Sequence, residues 1–331
     1  MSENIFEVDH LSLHYLGRFG DKTHAVTDVS FSMKQGEILG IAGESGCGKS
    51  TLVSGLMGMC IPPLFPTSGY VRVKNGDKME SLMNRSIEDI RSNVLAQKVS
   101  MIPQGAFNAL NPVRKIKDIA ADVIAAHQTA GNINKNEIYD RLRERFDLFG
   151  MDTNRVLNSY PIQLTAGERQ RSVIGISTLL NPQMVIADEP TSALDVSTQK
   201  EVIKMIFDLL DKGIFSTMIF ITHELPLLYH VADNIAIMYA GEIVEKGTAE
   251  QVVKDPRHPY TQALMGAMLS TEQSQRTRKP VAIEGAPPSL KKAIVGCRFA
   301  DRCARACADC KKNTQELRIV GDRQVRCDYA K

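Results

Sequence analysis

The stretch Gly43 to Ser50 reads GESGCGKS and fits the spacing G-x-x-x-x-G-K-[ST]. Glycines at Gly43, Gly46 and Gly48 let the backbone curl until its N–H groups converge on the α- and β-phosphates of a nucleotide, at the positive end of the helix that follows. Glu44, Ser45, Cys47 and Thr51 belong to the same cradle. In such a loop Lys49 reaches the β- and γ-phosphates, and the Ser50 hydroxyl is offered to Mg²⁺. A second stretch, MVIADEP, carries four apolar residues into Asp188 and Glu189. A carboxylate there can hold the Mg²⁺ through water, and a second one, a residue further on, can polarise a water for in-line attack on the γ-phosphate.

Both motifs need the same support. The apolar run before Gly43 reads as a strand and the residues from Lys49 as a helix, while MVIAD reads as a buried parallel strand ending at the metal. Between the two strands lie Gln104, in VSMIPQGAFNALNP, and LTAGERQR at 164 to 171. After them come SALD (Ser192, Ala193, Leu194, Asp195) and IFITHEL with His223. Taken singly, a glutamine in a loop is usually solvated and a histidine at a strand end is usually structural.

In this order the six motifs resemble the ATP-binding subunits of ABC transporters: Walker A, Q-loop, signature, Walker B, D-loop and H-loop, over residues 40 to 223. The resemblance implies an α/β fold, a P-loop ABC ATPase domain at 1–260. That domain has a RecA-like core, a small antiparallel β-subdomain and a helical subdomain inserted at about 105–175. A cysteine-rich extension follows at 261–331. It further implies ATP and Mg²⁺ as ligands, with Ser50, Gln104 and Asp188 around the metal. Gln104 would report nucleotide state to a membrane partner, and His223 would contact the γ-phosphate and position Glu189 as the base. Tyr15, in LSLHYLG, matches the family's adenine-stacking aromatic, though a tyrosine in an early strand is also good core material.

The family's signature usually reads Leu-Ser-Gly-Gly-Gln; here it is Leu164, Thr165, Ala166, Gly167 and Glu168. Thr165 keeps a hydroxyl for the partner's γ-phosphate, Gly167 keeps close backbone approach, and Ala166 loses glycine's freedom at positive φ. An altered signature in one chain suggests an asymmetric heterodimer. A soluble ABC ATPase would need a second motif set or a coiled coil between Lys49 and Leu164, and neither is legible. A P-loop kinase would not need Gln104, LTAGERQR and His223 in series.

Beyond residue 235, ADNIAIMYAGEIVEKGTAEQVVKDPRHPYTQALMGAM and EGAPPSL resemble the oligopeptide, dipeptide, nickel and oligosaccharide importer branch, with its HPYT box at His258 to Thr261. MGMCIPPLFPTSG resembles the first of that branch's two paired ATPases. The implied complex holds two permease subunits, this chain, a sister ATPase and an external solute-binding protein, at the cytoplasmic face of the inner membrane. The solute, most simply a peptide, is selected elsewhere; a sugar or nickel chelate is the alternative.

Composition agrees with no nucleic-acid role, since 40 Lys and Arg against 38 Asp and Glu leave only +2. No run of about 18 apolar residues could span a bilayer, and MSENIFEVDH has no basic or apolar leader pattern. In a reducing cytosol, four cysteines within GCRFADRCARACADC read as a metal or cofactor site rather than a disulfide framework. The tail from Lys291 holds eleven Lys and Arg against five Asp and Glu, a setting suited to an anionic cluster. Cys297, Cys303, Cys310 and Cys327 follow the branch's terminal spacing, for which the resemblance implies a [4Fe–4S] cluster, with Cys307 spare. Cys303, Cys307 and Cys310 also spell the radical-SAM spacing, which would want a barrel around it. A Zn²⁺ site built on the Cys307–Cys310 knuckle is the competing expectation. Cys47 and Cys60 read as small apolar fillers.

Overall fold

The computed structural model describes residues 3–105, 109–127, 135–192, 194–267 and 282–330. Its largest element is an eight-stranded sheet. Five parallel strands form its centre: β3 (Ile38–Ala42), β6 (Val99–Ile102), β7 (Met184–Asp188), β8 (Thr217–Ile221) and β9 (Asn234–Tyr239). They lie in the order β9-β3-β8-β7-β6. β10 (Glu242–Thr248) pairs antiparallel with β9, followed outward by β12 (Arg323–Val325) and β11 (Arg318–Val320). A second, four-stranded antiparallel sheet has the order β2-β1-β4-β5, from β1 (Asn4–Leu16), β2 (Lys22–Lys34), β4 (Leu64–Asn75) and β5 (Lys78–Ser81).

β3, β7 and β8 are buried along their whole length, as parallel strands covered on both faces must be. Their period of two sorts the side chains between two cores. Leu39, Ile41, Ile186, Ile219 and Ile221 join the small sheet and α1 (Lys49–Leu56) on one face. Ile38, Val185, Ala187, Met218 and Phe220 join the helical side on the other. There α3 (Ile116–Ala126), α4 (Lys135–Leu148), α5 (Thr153–Asn158) and α6 (Ala166–Ser177) are the described helices between β6 and β7, after α2 (Ile87–Asn93). α7 (Val196–Asp211), α8 (Leu225–Val231), α9 (Ala249–Lys254) and α10 (Pro259–Ala267) complete the described helices.

The described part of the tail is built onto the core sheet. β12 pairs with β10 through Glu245↔Val325 and Lys246↔Gln324, and Phe299 packs edge-on against Tyr239 and Tyr260 in the main core. Buried Arg326 donates to the carbonyls of Ile243 (3.0 Å), Gln315 (3.1 Å) and Asp28 (3.2 Å) and to the Asp28 carboxylate (3.1 Å). Among the described residues no helix is long and apolar enough to cross a membrane.

Candidate active site

The parallel strands β3, β8, β7 and β6 deliver their carboxyl ends to one edge, where the connecting loops meet. β3 runs into the loop 43–48 and then α1. Two glycines there are sterically required. A Cβ on Gly43 would lie 2.1 Å from the Met238 carbonyl oxygen, and one on Gly48, at φ 104°, would lie 2.2 Å from that of Ala25. No side chain caps α1 and its first turn holds no acid, so its leading N–H groups are left to an anion. Lys49 is buried, with Nζ donating to the carbonyls of Gly43 (2.7 Å) and Glu44 (3.0 Å).

Asp188 ends β7 almost fully buried. Burial, then the charge of Glu189, pushes its carboxyl above the usual range, against the pull of Lys49 and of the Ser50 hydroxyl bonded to it. Glu189 stands at φ 45°, left-handed backbone that is costly for a residue with a Cβ. It is fixed there by its N–H on the Ile221 carbonyl (2.9 Å) and its own carbonyl under the Ser192 N–H (3.0 Å). The turn aims its carboxylate along the strand ends. Gln104 Nε2 donates to Oε2 at 3.0 Å, and His223 Nδ1 lies 3.4 Å from Oε1. Gln104, Glu189 and His223, two residues past β6, one past β7 and two past β8, thus converge. The donor set fits ATP and its metal: a cation and free N–H groups for phosphates, a carboxylate and a hydroxyl for Mg²⁺, and a held carboxylate for water.

Tyr15 ends the apolar run of β1, half-buried, with its hydroxyl 3.2 Å from Thr51 Oγ1 at the start of α1. In the signature, Thr165 is the N-cap of α6. Its hydroxyl accepts from the Glu168 N–H (3.2 Å), while the Glu168 carboxylate accepts from the Thr165 N–H (2.9 Å). Ala166 is the first helical residue and has no positive φ, so the glycine freedom it lacks is not used here. Gly167 leaves room, its nearest neighbour to an added Cβ being Thr198 Cγ2 at 3.6 Å. Thr165→Ala should cost about 1 kcal/mol, a fall of roughly 2 °C in Tm, with Thr165→Ser close to wild type by thermal denaturation. Asp195 caps α7 through the N–H groups of Ser197 and Thr198 (both 3.1 Å), and the hydroxyls of Ser197 and Thr198, helped by those N–H groups, hold its carboxyl far below the usual range. Ala193 lies outside the described residues.

The cysteine expectation is corrected by the structure. Cys297, Cys303, Cys310 and Cys327 line one pocket with Phe299, Pro259 and His258, yet among the described residues no group of three or more His, Cys, Asp or Glu is disposed to hold a metal. Burial pushes the Cys297 thiol up to about 11 and raises those of Cys310 and Cys327. Cys307, expected as the spare, lies with Sγ 3.4 Å from that of Cys310. Neither the [4Fe–4S] cluster nor the zinc ion has support among the described residues. Of the tail's arginines, Arg305 alone lines that pocket with the cysteines, and it donates to Gln262 (2.7 Å). Arg298 pairs with Glu242 (3.0 Å), Arg302 with Glu44 (2.7 Å), Arg323 with Asp255 (3.0 Å) and Arg326 with Asp28 (3.1 Å).

A phosphate loop, a strand-end carboxylate pair, and a glutamine and histidine converging on the second carboxylate, all at one edge of a parallel sheet, define a P-loop ATPase of the ABC class. The chain belongs to the ABC transporter ATP-binding family: the family described as ABC transporter matches residues 26–192, and that described as Oligopeptide/dipeptide transporter, C-terminal region, matches residues 244–310. It is 34% identical to the dipeptide transport ATP-binding protein DppD of Caldanaerobacter subterraneus subsp. tengcongensis, over 98% of this chain and 96% of the relative. It is 36% identical to the oligopeptide transport ATP-binding protein OppD of Bacillus subtilis, over 91% and 82%. The fold matches a dimeric bacterial ABC transporter cassette with TM-score 0.63 at 23% identity, over 74% of this chain and 99% of that one. The chain is an ATP-hydrolysing enzyme.

The approach of Glu44 to Arg302 was not legible in advance. The two are 258 positions apart, and no local pattern joins them.

Proposed function

We propose that this chain is the ATPase subunit that drives import of an oligopeptide or dipeptide through a membrane ABC transporter. The observation that carries the reading is the match of residues 244–310 to the oligopeptide/dipeptide C-terminal region, on a chain aligned nearly end to end with peptide-transport ATP-binding relatives. The chain works at the cytoplasmic face of the membrane, against two permease subunits and beside a sister ATPase, with an external binding protein presenting the solute. Each ATP lies between one chain's phosphate loop and the other's signature.

In this reading the loop N–H groups and Lys49 bind the β- and γ-phosphates, and Tyr15 stacks on adenine. Ser50, Asp188 and Gln104 hold Mg²⁺, which neutralises phosphate charge when bound. Glu189 accepts the proton of the attacking water. His223 and Gln104 keep that carboxylate aimed, and Leu164 to Glu168 serve the partner's ATP. The convergence of Gln104 and His223 on Glu189 supports these roles.

Purification of the tagged chain from its membranes should bring down permease subunits and a second ATPase, and peptide with its binding protein should raise ATP turnover of the reconstituted complex. Copurification with ribosomes or DNA instead, or stimulation by a sugar or nickel chelate but not by peptides, overturns the corresponding part of the reading.

A further inference from the structure

The segment that carries the cysteines reaches back to the phosphate loop. The Arg302 side chain is only 5% exposed, and its guanidinium forks onto Glu44, with Nη1 to Oε2 at 2.7 Å and Nη2 to Oε1 at 3.0 Å. The fork is itself fixed: Nη1 also donates to the Tyr239 hydroxyl (3.2 Å) and Nε to the Glu284 carbonyl (3.0 Å). Glu44 is the second residue of the loop, and its carbonyl also accepts from the Cys47 N–H (3.2 Å). Its N–H donates to the Tyr260 hydroxyl (3.0 Å), and its carbonyl accepts from Lys49 Nζ (3.0 Å). A second arginine from the same turn acts one step away. Arg298 donates to the Ala240 carbonyl, and the adjoining Gly241 N–H donates to the Cys47 carbonyl of the loop (2.8 Å).

We propose that the docked C-terminal segment sets the conformation of the phosphate loop, with Arg302 as a positioning residue for nucleotide binding. The bidentate grip fixes the Glu44 side chain and, through one residue of backbone, the carbonyl that orients Lys49 Nζ. A planar guanidinium gripping both carboxylate oxygens constrains direction as well as distance, which a single ammonium cannot do. Arg302 donates to Glu44, Tyr239, Glu284 and Ile283 and not to Asp188, Glu189, Gln104 or His223, so its effect falls on nucleotide affinity rather than on the chemical step. Tail docking and ATP affinity are then linked: whatever lifts residues 298–302 from the core weakens the ATP site, and bound nucleotide favours the docked tail.

The inference rests on the loop being the ATP site, which Lys49→Ala tests separately. The experiment is titration of the full-length chain with a fluescent MgADP analogue, together with KM and kcat for ATP in the assembled transporter. Arg302→Ala should raise Kd and KM by about 3- to 30-fold with kcat moved far less, and Arg302→Lys should fall between it and wild type. Glu44→Gln should raise Kd similarly, and the double variant Arg302→Ala/Glu44→Gln should be no worse than the poorer single one. If Arg302→Ala lowers Tm while its folded fraction binds with wild-type affinity, the pair is only a tether and the proposal fails. Additive losses in the double variant also overturn it. Loss of binding in Lys49→Ala with none in Arg302→Ala sinks this inference alone, whereas wild-type binding in Lys49→Ala sinks the site.

Discussion

Glu189→Gln should lower ATP turnover of the assembled transporter by about 100- to 10,000-fold while MgATP still binds, the scale expected when a general base is removed from an otherwise complete site. The substitution keeps the shape and removes the function. The amide occupies the volume of the carboxylate, and the left-handed turn at φ 45° is held by backbone bonds to Ile221 and Ser192 that do not involve the side chain. What changes is chemical. Oε2, which takes the Gln104 amide at 3.0 Å, and Oε1, beside His223 at 3.4 Å, together carry the negative charge that can accept a proton from water. A glutamine cannot accept it. Lys49 and the loop N–H groups are untouched by the substitution, so ATP should remain trapped between the paired subunits. The measurement is phosphate release by the reconstituted complex, with retained labelled ATP as the second readout. Turnover at the wild-type rate would show that Glu189 is not the base. The assembled complex is essential to the measurement, because in this reading the γ-phosphate is completed by the partner's signature.

Motifs whose parts are contiguous were legible from the chain, and contacts made by distant parts were not. GESGCGKS specifies its own loop, because Gly43 and Gly48 sit where backbone oxygens leave no space for a side chain. MVIAD announces a buried strand by composition alone. Gln104, Glu189 and His223 were placed together by the order of motifs, and the structure supplies the reason: they follow neighbouring parallel strands at the same edge. The tail misled for physical reasons. Cysteine spacing is one-dimensional, and it does not say how the side chains are disposed once folded; among the described residues no group of three or more is disposed to hold a metal. A surplus of positive charge does not name its partners either: Arg298, Arg302, Arg323 and Arg326 pair with Glu242, Glu44, Asp255 and Asp28, and Arg305 alone of the tail's arginines lines the cysteine pocket. β11 and β12, three residues each, are too short for an alternation to be seen. Within this chain the Thr165 hydroxyl also closes a capping box with Glu168, a pairing that T-x-x-E spells out in the sequence.

Lys49→Met should weaken MgATP and MgADP binding on the order of 30- to 150-fold, the equivalent of losing a hydrogen bond to a charged group worth about 2–3 kcal/mol. Methionine is the informative replacement, because Lys49 is buried. Alanine would remove that packing together with the charge, whereas methionine fills the same volume and carries no donor. Nζ holds the carbonyls of Gly43 and Glu44 at 2.7 and 3.0 Å, so the cation both offers charge to the phosphates and ties the first two loop residues to the start of α1. These contributions separate by ligand. Lost charge should penalise ATP more than ADP, since the γ-phosphate adds negative charge at the same position. A loosened loop should penalise both nucleotides alike, as is expected of Arg302→Ala. Titration of the full-length chain with both nucleotides measures the ratio directly. A larger loss for ATP than for ADP in Lys49→Met, beside an equal loss for both in Arg302→Ala, would assign charge to the lysine and loop geometry to the arginine. Equal losses in Lys49→Met would mean that the lysine acts here mainly as a strut for the carbonyls of Gly43 and Glu44.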